Sequence, residues 1–355
     1  MKEHYIDLHL HLDGAITVEI ARQLAQIQNI SLPKDDAELE RLLTVPPDCQ
    51  DLNEFLECFD QPLRLMQTRS GLREAVRLVG QNIRSQGVIY AEIRFAPQQH
   101  TSQGMTQEDA VQAALEGLQD LAKAGRAEAD CPDSGHGEGA PAETGSEHAG
   151  LKANLILCCM RGEGNDELNE ETLRLAKEYL VEDGGVVAMD LAGAEGLYPT
   201  EHYRELFGKA REHGIPFTIH AGEADGADSV RAAVEFGAQR IGHGVRMRED
   251  PAVVELVRAH GIFLEMCPTS NRQTRAVEDM SLYPLTDYLE DGIRVTLNTD
   301  DMGIEGTTMA EEFRYMEREH HLTGAQKRML LMNAVEGAFT SEEVKEQLRK
   351  QLELR

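Results

Sequence analysis

The segment Asp7-Leu8-His9-Leu10-His11-Leu12-Asp13-Gly14 sets two imidazoles two residues apart in an alternating run. On a strand, residues i and i+2 share a face, so His9 and His11 converge while Leu8, Leu10 and Leu12 point the other way. Two imidazoles aimed at one point grip a zinc-like cation, for which histidine is the commonest ligand. An isolated His-x-His is more often a buried pair satisfied by hydrogen bonds. Three further clusters outweigh that reading here. His220-Ala221-Gly222-Glu223, Gly242-His243-Gly244 and Asn298-Thr299-Asp300-Asp301 each close an apolar, β-rich run. Singly, each is a core histidine, a glycine turn or an acidic cap. Together they place seven polar side chains around one mouth. Three neutral imidazoles and one carboxylate around a divalent ion leave residual positive charge and room for a water, whose pKa falls to ~7. His9, His11, His220 and Asp300 are therefore the expected ligands. Glu223, His243 and Asp301 are left for proton work.

These clusters need a scaffold that brings strand ends together. Strands are expected near Tyr5–Leu10, Val88–Phe95, Asn154–Met160, Val186–Leu191, Pro216–His220, Arg240–His243, Ile262–Met266 and Ile293–Asn298, the sixth very short. Helical stretches lie between them, among them Pro251 to His260, with a first-turn proline and Gly261 as stop, and Pro284 to Asp291, closed by Gly292. Eight strands alternating with helices predict an α/β fold, a (β/α)8 TIM-type barrel whose site lies at the C-terminal mouth. The chain, 1–355, is read as a single barrel domain. The fourth run ends Ala188-Met189-Asp190-Leu191-Ala192-Gly193, without the lysine that bridges paired ions in many barrel hydrolases. One metal is expected.

Two segments interrupt the alternation. About 75 residues separate the first two strands, and within them Leu52, Phe55, Leu56 and Phe59 fall at i, i+3, i+4 and i+7. That is an amphipathic helix, placed over the mouth or packed on the wall. Residues 127–150 are rich in Gly, Ala, Pro and acids and lack large apolar side chains, so they are expected to be a flexible insertion on the opposite face. Cys131, His136 and His148 within it read as loop residues rather than a second metal site. Residues 311–355 are expected to be the last barrel helix and a helical extension.

Composition narrows the partners. A formal charge of 35 − 63 = −28 opposes nucleic-acid binding, which needs Lys/Arg stripes. No apolar run approaches the ~18 residues of a membrane span. Six cysteines without a Cys-x-x-Cys are expected to be reduced core thiols of a cytoplasmic protein, and the early metal motif leaves no room for a signal peptide.

From Tyr5 to about Thr308 the chain resembles the adenosine deaminase family of metal-dependent amidohydrolases. The resemblance rests on the clusters above together with Leu157-Cys158-Cys159-Met160-Arg161, Asp190-Leu191-Ala192-Gly193 and Cys267-Pro268-Thr269-Ser270-Asn271. It implies one Zn²⁺ per chain on His9, His11, His220 and Asp300, and zinc-activated hydroxide adding to C6 of the purine with loss of ammonia. Glu223 would donate to N1, and His243 would orient the water as base or electrostatic stabiliser. Asp301 would hold the hydroxyl and meet N7, the Gly193 backbone would meet N3, and Asp13 would accept from the ribose 5′-hydroxyl. Leu52, Phe55, Leu56 and Phe59 would form an apolar lid, with Met160 on the pocket wall. The implied substrate is a small nucleoside, adenosine or 2′-deoxyadenosine. Asp13 stands where adenine deaminases tend to carry Glu, and an aspartate there would repel a 5′-phosphate. Arg94 and Arg161, near strand ends, could oppose that reading or serve as structural ion-pair partners. Ala194 replaces a frequent acid and Met302 a usual proline. Other hydrolase classes and a non-catalytic binding relative fit less well, since no proton-handling group is lost.

Overall fold

The computed structural model describes residues 3–129 and 150–353. Strands β1 (Tyr5–His11), β2 (Val88–Phe95), β3 (Lys152–Met160) and β4 (Val186–Ala192) pair in parallel in that order. Strands β5 (Thr218–Ala221), β6 (Arg240–His243), β7 (Phe263–Met266) and β8 (Arg294–Leu297) do the same. Bridges Met189 to Phe217 and Leu10 to Asp300 join the two sheets at both edges and close the ring. The backbone bonds at these seams are Met189 N to Pro216 O, 3.0 Å, and Asp300 N to His9 O, 2.8 Å. The result is a (β/α)8 barrel, and parallel pairing puts every C-terminal strand end on one rim.

Strands β2 and β6 have the expected bounds. β5 starts two residues later than expected, after Pro216, which has no N–H for the ladder. β8 stops at Leu297, and the Asn298 side chain instead accepts from Leu8 N at 3.1 Å, stitching β8 to β1. The helix Pro251–His260 is capped by Asp250, whose carboxylate accepts from Ala252 N, and ends at left-handed Gly261.

The expected helix over the mouth is broken rather than continuous. Leu52–Leu56 is α-helical, Glu57–Phe59 tightens to a 3₁₀ turn, and Asp60–Arg64 resumes the helix. Leu52 and Phe55 turn inward and pack with Cys49 and Ile304. The stretch after residue 308 forms helices Met309–Glu319, Gly324–Gly337 and Glu342–Glu353, of which Gly324–Gly337 packs on β8 and β1. The insertion expected at 127–150 lies largely outside the described residues, and with it Cys131, His136 and His148. The helix Gln107–Ala129 runs through its first three positions. Among the described residues, no helix is long and apolar enough to cross a membrane.

Charged side chains occupy the barrel interior beneath the rim. Glu92, Arg94, Asp190, Arg240 and Glu265 are all fully buried. Arg94 bonds Asp190 at 2.9 Å and Glu265 at 2.8 Å, and Arg240 bonds Glu265 and Glu92. Buried charges persist only when paired and hydrogen-bonded, and these are.

Candidate active site

His9 and His11 leave β1 on the inner face, as alternation requires, while Leu8, Leu10 and Leu12 are fully buried in the outer layer. His220 comes from β5, His243 from the end of β6, and Asp300 follows β8. His243 and Asp300 hold left-handed backbone at φ 62° and 66°, rare for residues with a side chain. Such strain persists where the surroundings fix it and is concentrated at functional sites.

His9, His11, His220 and Asp300 converge on one point. His9 Nε2 and His11 Nε2 lie 3.0 and 3.1 Å from His220 Nε2, and Asp300 Oδ1 lies 3.1 Å from His9 Nε2 and 3.4 Å from His11 Nε2. Tetrahedral ligands at roughly 2.0–2.1 Å from an ion are separated by about 3.3–3.4 Å, so the spacing suits zinc. The donor set argues the same way. His9 Nδ1 donates to Glu265 at 2.7 Å and His220 Nδ1 donates to Asp190 at 3.0 Å. With Nδ1 carrying the proton, each Nε2 presents a bare lone pair, and two lone pairs 3.0 Å apart beside a carboxylate call for a cation between them.

The proton-handling candidates face the same space. Glu223 is buried, accepts from the Thr274 hydroxyl at 3.1 Å, and stands 3.5 Å from His243 Nε2. Burial, reinforced by the Asp300 and Glu195 carboxylates, pushes Glu223 up to about 8. Burial holds His243 well below the usual imidazole range. Asn271 Nδ2 donates to His243 Nδ1 at 3.0 Å, a sense set by the Tyr283 hydroxyl donating to Asn271 Oδ1 at 2.9 Å. Neutral His243 therefore carries its proton on Nε2, between Glu223 and Asp300. Asp301 is pushed well up by burial and by Asp300, Asp13 and Glu223. Its Oδ1 has no hydrogen-bond partner and packs against Gly14, where a Cβ would sit 1.7 Å away.

A cavity of about 280 Å³ joins these groups. Its wall includes His11, Asp13, Leu56, Phe59, Met160, Gly193, Glu223, His243, Asp300 and Asp301. Leu52 and Phe55 are not on it; they pack with Cys49 and Ile304, and Leu52 lines an adjoining cavity that also reaches Glu223. Gly193 sits at φ 101°, and a Cβ there would lie 3.3 Å from Met160, so only glycine lets ligand approach the backbone closely. Ala194 lines the cavity without a polar group, while its neighbour Glu195 is buried and accepts from the backbone N–H groups of Gly222, Glu223, Ala224 and Asp225. At Met302, where proline is usual, Gly303 N and Ile304 N bond Gly14 O at 2.8 and 3.1 Å and hold the chain after Asp301 to the turn that follows β1.

Sequence reasoning missed Glu265, Asp190, Asn271 and Glu195 as supports. Their signal was a charged or amide residue inside or just beyond an apolar strand run, as in Phe263-Leu264-Glu265-Met266. Arg94 proves to be a structural ion-pair partner. Arg161 donates to Tyr198 O, Thr200 Oγ1 and His220 O at 2.6, 2.9 and 2.6 Å.

The family model described as adenosine deaminase matches residues 5–354. An adenosine deaminase of Haemophilus ducreyi is 46% identical over 97% of this chain and 94% of its own. One from Enterococcus faecalis is 35% identical over 98% and 95%. Among solved structures, an adenine deaminase from Arthrobacter aurescens superposes with a TM-score of 0.83 at 26% identity, covering 99% of this chain and 98% of that one. Matched along nearly its whole length, with its strand-end clusters gathered into one cavity, the chain belongs to the adenosine deaminase family.

Proposed function

We propose that the protein hydrolyses adenosine, and 2′-deoxyadenosine, to the corresponding inosine and ammonia. The observation that carries this reading is a four-donor metal cage sharing one cavity with the buried Glu223 carboxyl, which burial pushes up to about 8. A zinc ion on His9, His11, His220 and Asp300 would supply a water activated toward hydroxide near neutral pH.

The chain's own groups account for the rest. Glu223, neutral at pH 7, gives its proton to N1 and draws electron density from C6 as the C6–O bond forms. His243 offers its Nε2 proton to the incoming oxygen, which makes it an orienting and stabilising donor rather than a base. Asp301, neutral in its buried setting, donates to N7. The Gly193 N–H meets N3. As the C6–N6 bond breaks, the proton of the added C6 hydroxyl passes to the departing amine, giving ammonia and the 6-oxo product, and Glu223 regains its proton from solvent. Leu56, Phe59 and Met160 exclude water from the base and sugar. Asp13, buried with only its own and Gly14's backbone N–H as partners, keeps a free acceptor for the 5′-hydroxyl.

Arg161 is the one cation on the described cavity wall, and its hydrogen bonds go to protein acceptors. A 5′-phosphate would meet Asp13 with no free cation, which disfavours AMP. The five described cysteines are free thiols, consistent with a reducing, cytoplasmic setting. Steady-state rates with adenosine, AMP and adenine test the substrate. The reading expects adenosine to exceed both others in kcat/KM by at least about 10²-fold, and preference for either would displace Asp13 from its role.

A further inference from the structure

Two of the metal-cage imidazoles, on opposite halves of the barrel, are oriented by carboxylates that share one buried guanidinium. Arg94, on β2 and fully buried, points Nη1 at Asp190 on β4 and Nη2 at Glu265 on β7, at 2.9 and 2.8 Å. Asp190 takes the His220 Nδ1 proton, and Glu265 takes that of His9 through the same oxygen that meets Arg94. Nη2 also donates to Leu8 O at 2.7 Å, fixing the backbone next to His9. We infer that Arg94 is a positioning residue whose two-pronged fork sets the metal affinity of the cage by aligning His9 and His220 together.

The fork geometry is specific to arginine. Its planar guanidinium presents donors at fixed angles, whereas a lysine ammonium is a point charge that cannot hold two carboxylates in one plane. Arg240 provides an internal comparison. It is as deeply buried, and it bonds Glu265 through Oε1, but it reaches neither Asp190 nor the oxygen that holds His9. Charge alone predicts the opposite outcome, because removing a cation near the cage should draw a divalent ion in more strongly. Alignment and charge therefore make contrary predictions.

This inference rests on His9, His11, His220 and Asp300 being the metal ligands, and the test separates the two. Zinc affinity is measured by chelator competition for wild type, Arg94→Lys, Arg94→Met and Arg240→Lys, with the metal-free proteins checked by thermal unfolding. Cobalt(II) absorption of the reloaded proteins reports ligand geometry. Wild type should bind one zinc per chain. Failure of that step refutes the ligand reading itself. Supports of metal-bound histidines typically contribute about 10–100-fold in affinity. Arg94→Lys and Arg94→Met should both weaken zinc binding in this range and shift the cobalt spectrum, with Arg240→Lys affecting both less. If Arg94→Lys binds zinc as wild type does, or Arg94→Met binds it more tightly, the fork has no aligning role. If neither Arg94 variant folds, Asp190→Asn and Glu265→Gln test one prong each, and wild-type zinc affinity in both would overturn the inference.

Discussion

Replacing Glu223 by Gln should make the metal-free protein more stable and the loaded enzyme nearly inert. Glutamine keeps the shape and still accepts from Thr274, but it has no proton to transfer. Loss of a general acid costs about 10²–10⁴ in rate, or roughly 3–5 kcal/mol of barrier. The stability gain follows from the carboxyl's shift from an ordinary 4.5 to about 8. Between those values the unfolded chain releases this proton and the folded chain keeps it, so the folded state binds more protons and stability falls as pH rises. At 1.36 kcal/mol per unit, the burden at pH 7 is roughly 3 kcal/mol, and it vanishes below about pH 4.5. Denaturant unfolding of chelated wild type and Glu223→Gln at pH 4.5 and 7 measures the difference, while adenosine turnover with metal analysis measures the rate. In the loaded enzyme, ionisation of Glu223 removes the proton that N1 needs, so kcat/KM should fall tenfold per unit on the alkaline side of its pKa there. Near-wild-type turnover in a metal-loaded variant, or equal stabilities at pH 7, would refute the assignment of Glu223 as a buried neutral acid.

Other perturbations separate the parts of the site. Gly14→Ala drives a Cβ to 1.7 Å from Asp301 Oδ1, and should cost on the order of 10²-fold in kcat with zinc content unchanged, by activity and metal analysis. Gly242→Ala puts a Cβ 2.9 Å from the His9 ring and should instead weaken zinc binding, by chelator competition. Asp13→Ala should lower kcat/KM for adenosine by about 10–100-fold, the scale of a hydrogen bond to a charged group, and leave any activity on adenine unchanged. Replacing residues 130–149 by a short linker should leave the KM for adenosine unaltered, because their flanks join a helix end to the start of β3, on the face opposite the site.

The strand-end clusters were legible because metal ligation and acid-base work demand particular residue types, and strand alternation says which of them share a face. His9 and His11 are the clearest case. Strand limits were less legible: in the alternating run Ile293–Asn298, nothing in the pattern marks where backbone pairing yields to side-chain pairing, as it does at Asn298. The lid shows a further limit. Positions 52, 55, 56 and 59 share a face on an ideal helix, but the α-helix stops at Leu56 and a 3₁₀ turn follows; Leu56 and Phe59 line the cavity of the cage while Leu52 and Phe55 pack with Cys49 and Ile304. The ionic barrel floor was visible only as charges in unlikely places. Periodicity cannot say that Arg94 spans Asp190 and Glu265, since those three residues meet only when the barrel closes.

The most direct test of metal-dependent deamination at this site is ammonia release from adenosine by the purified protein, before chelation, after it, and after zinc is restored. The account predicts turnover that stops when the metal is stripped and returns with one zinc per chain. Turnover that survives complete metal removal, or a folded, zinc-loaded protein that releases no ammonia from adenosine, would contradict it.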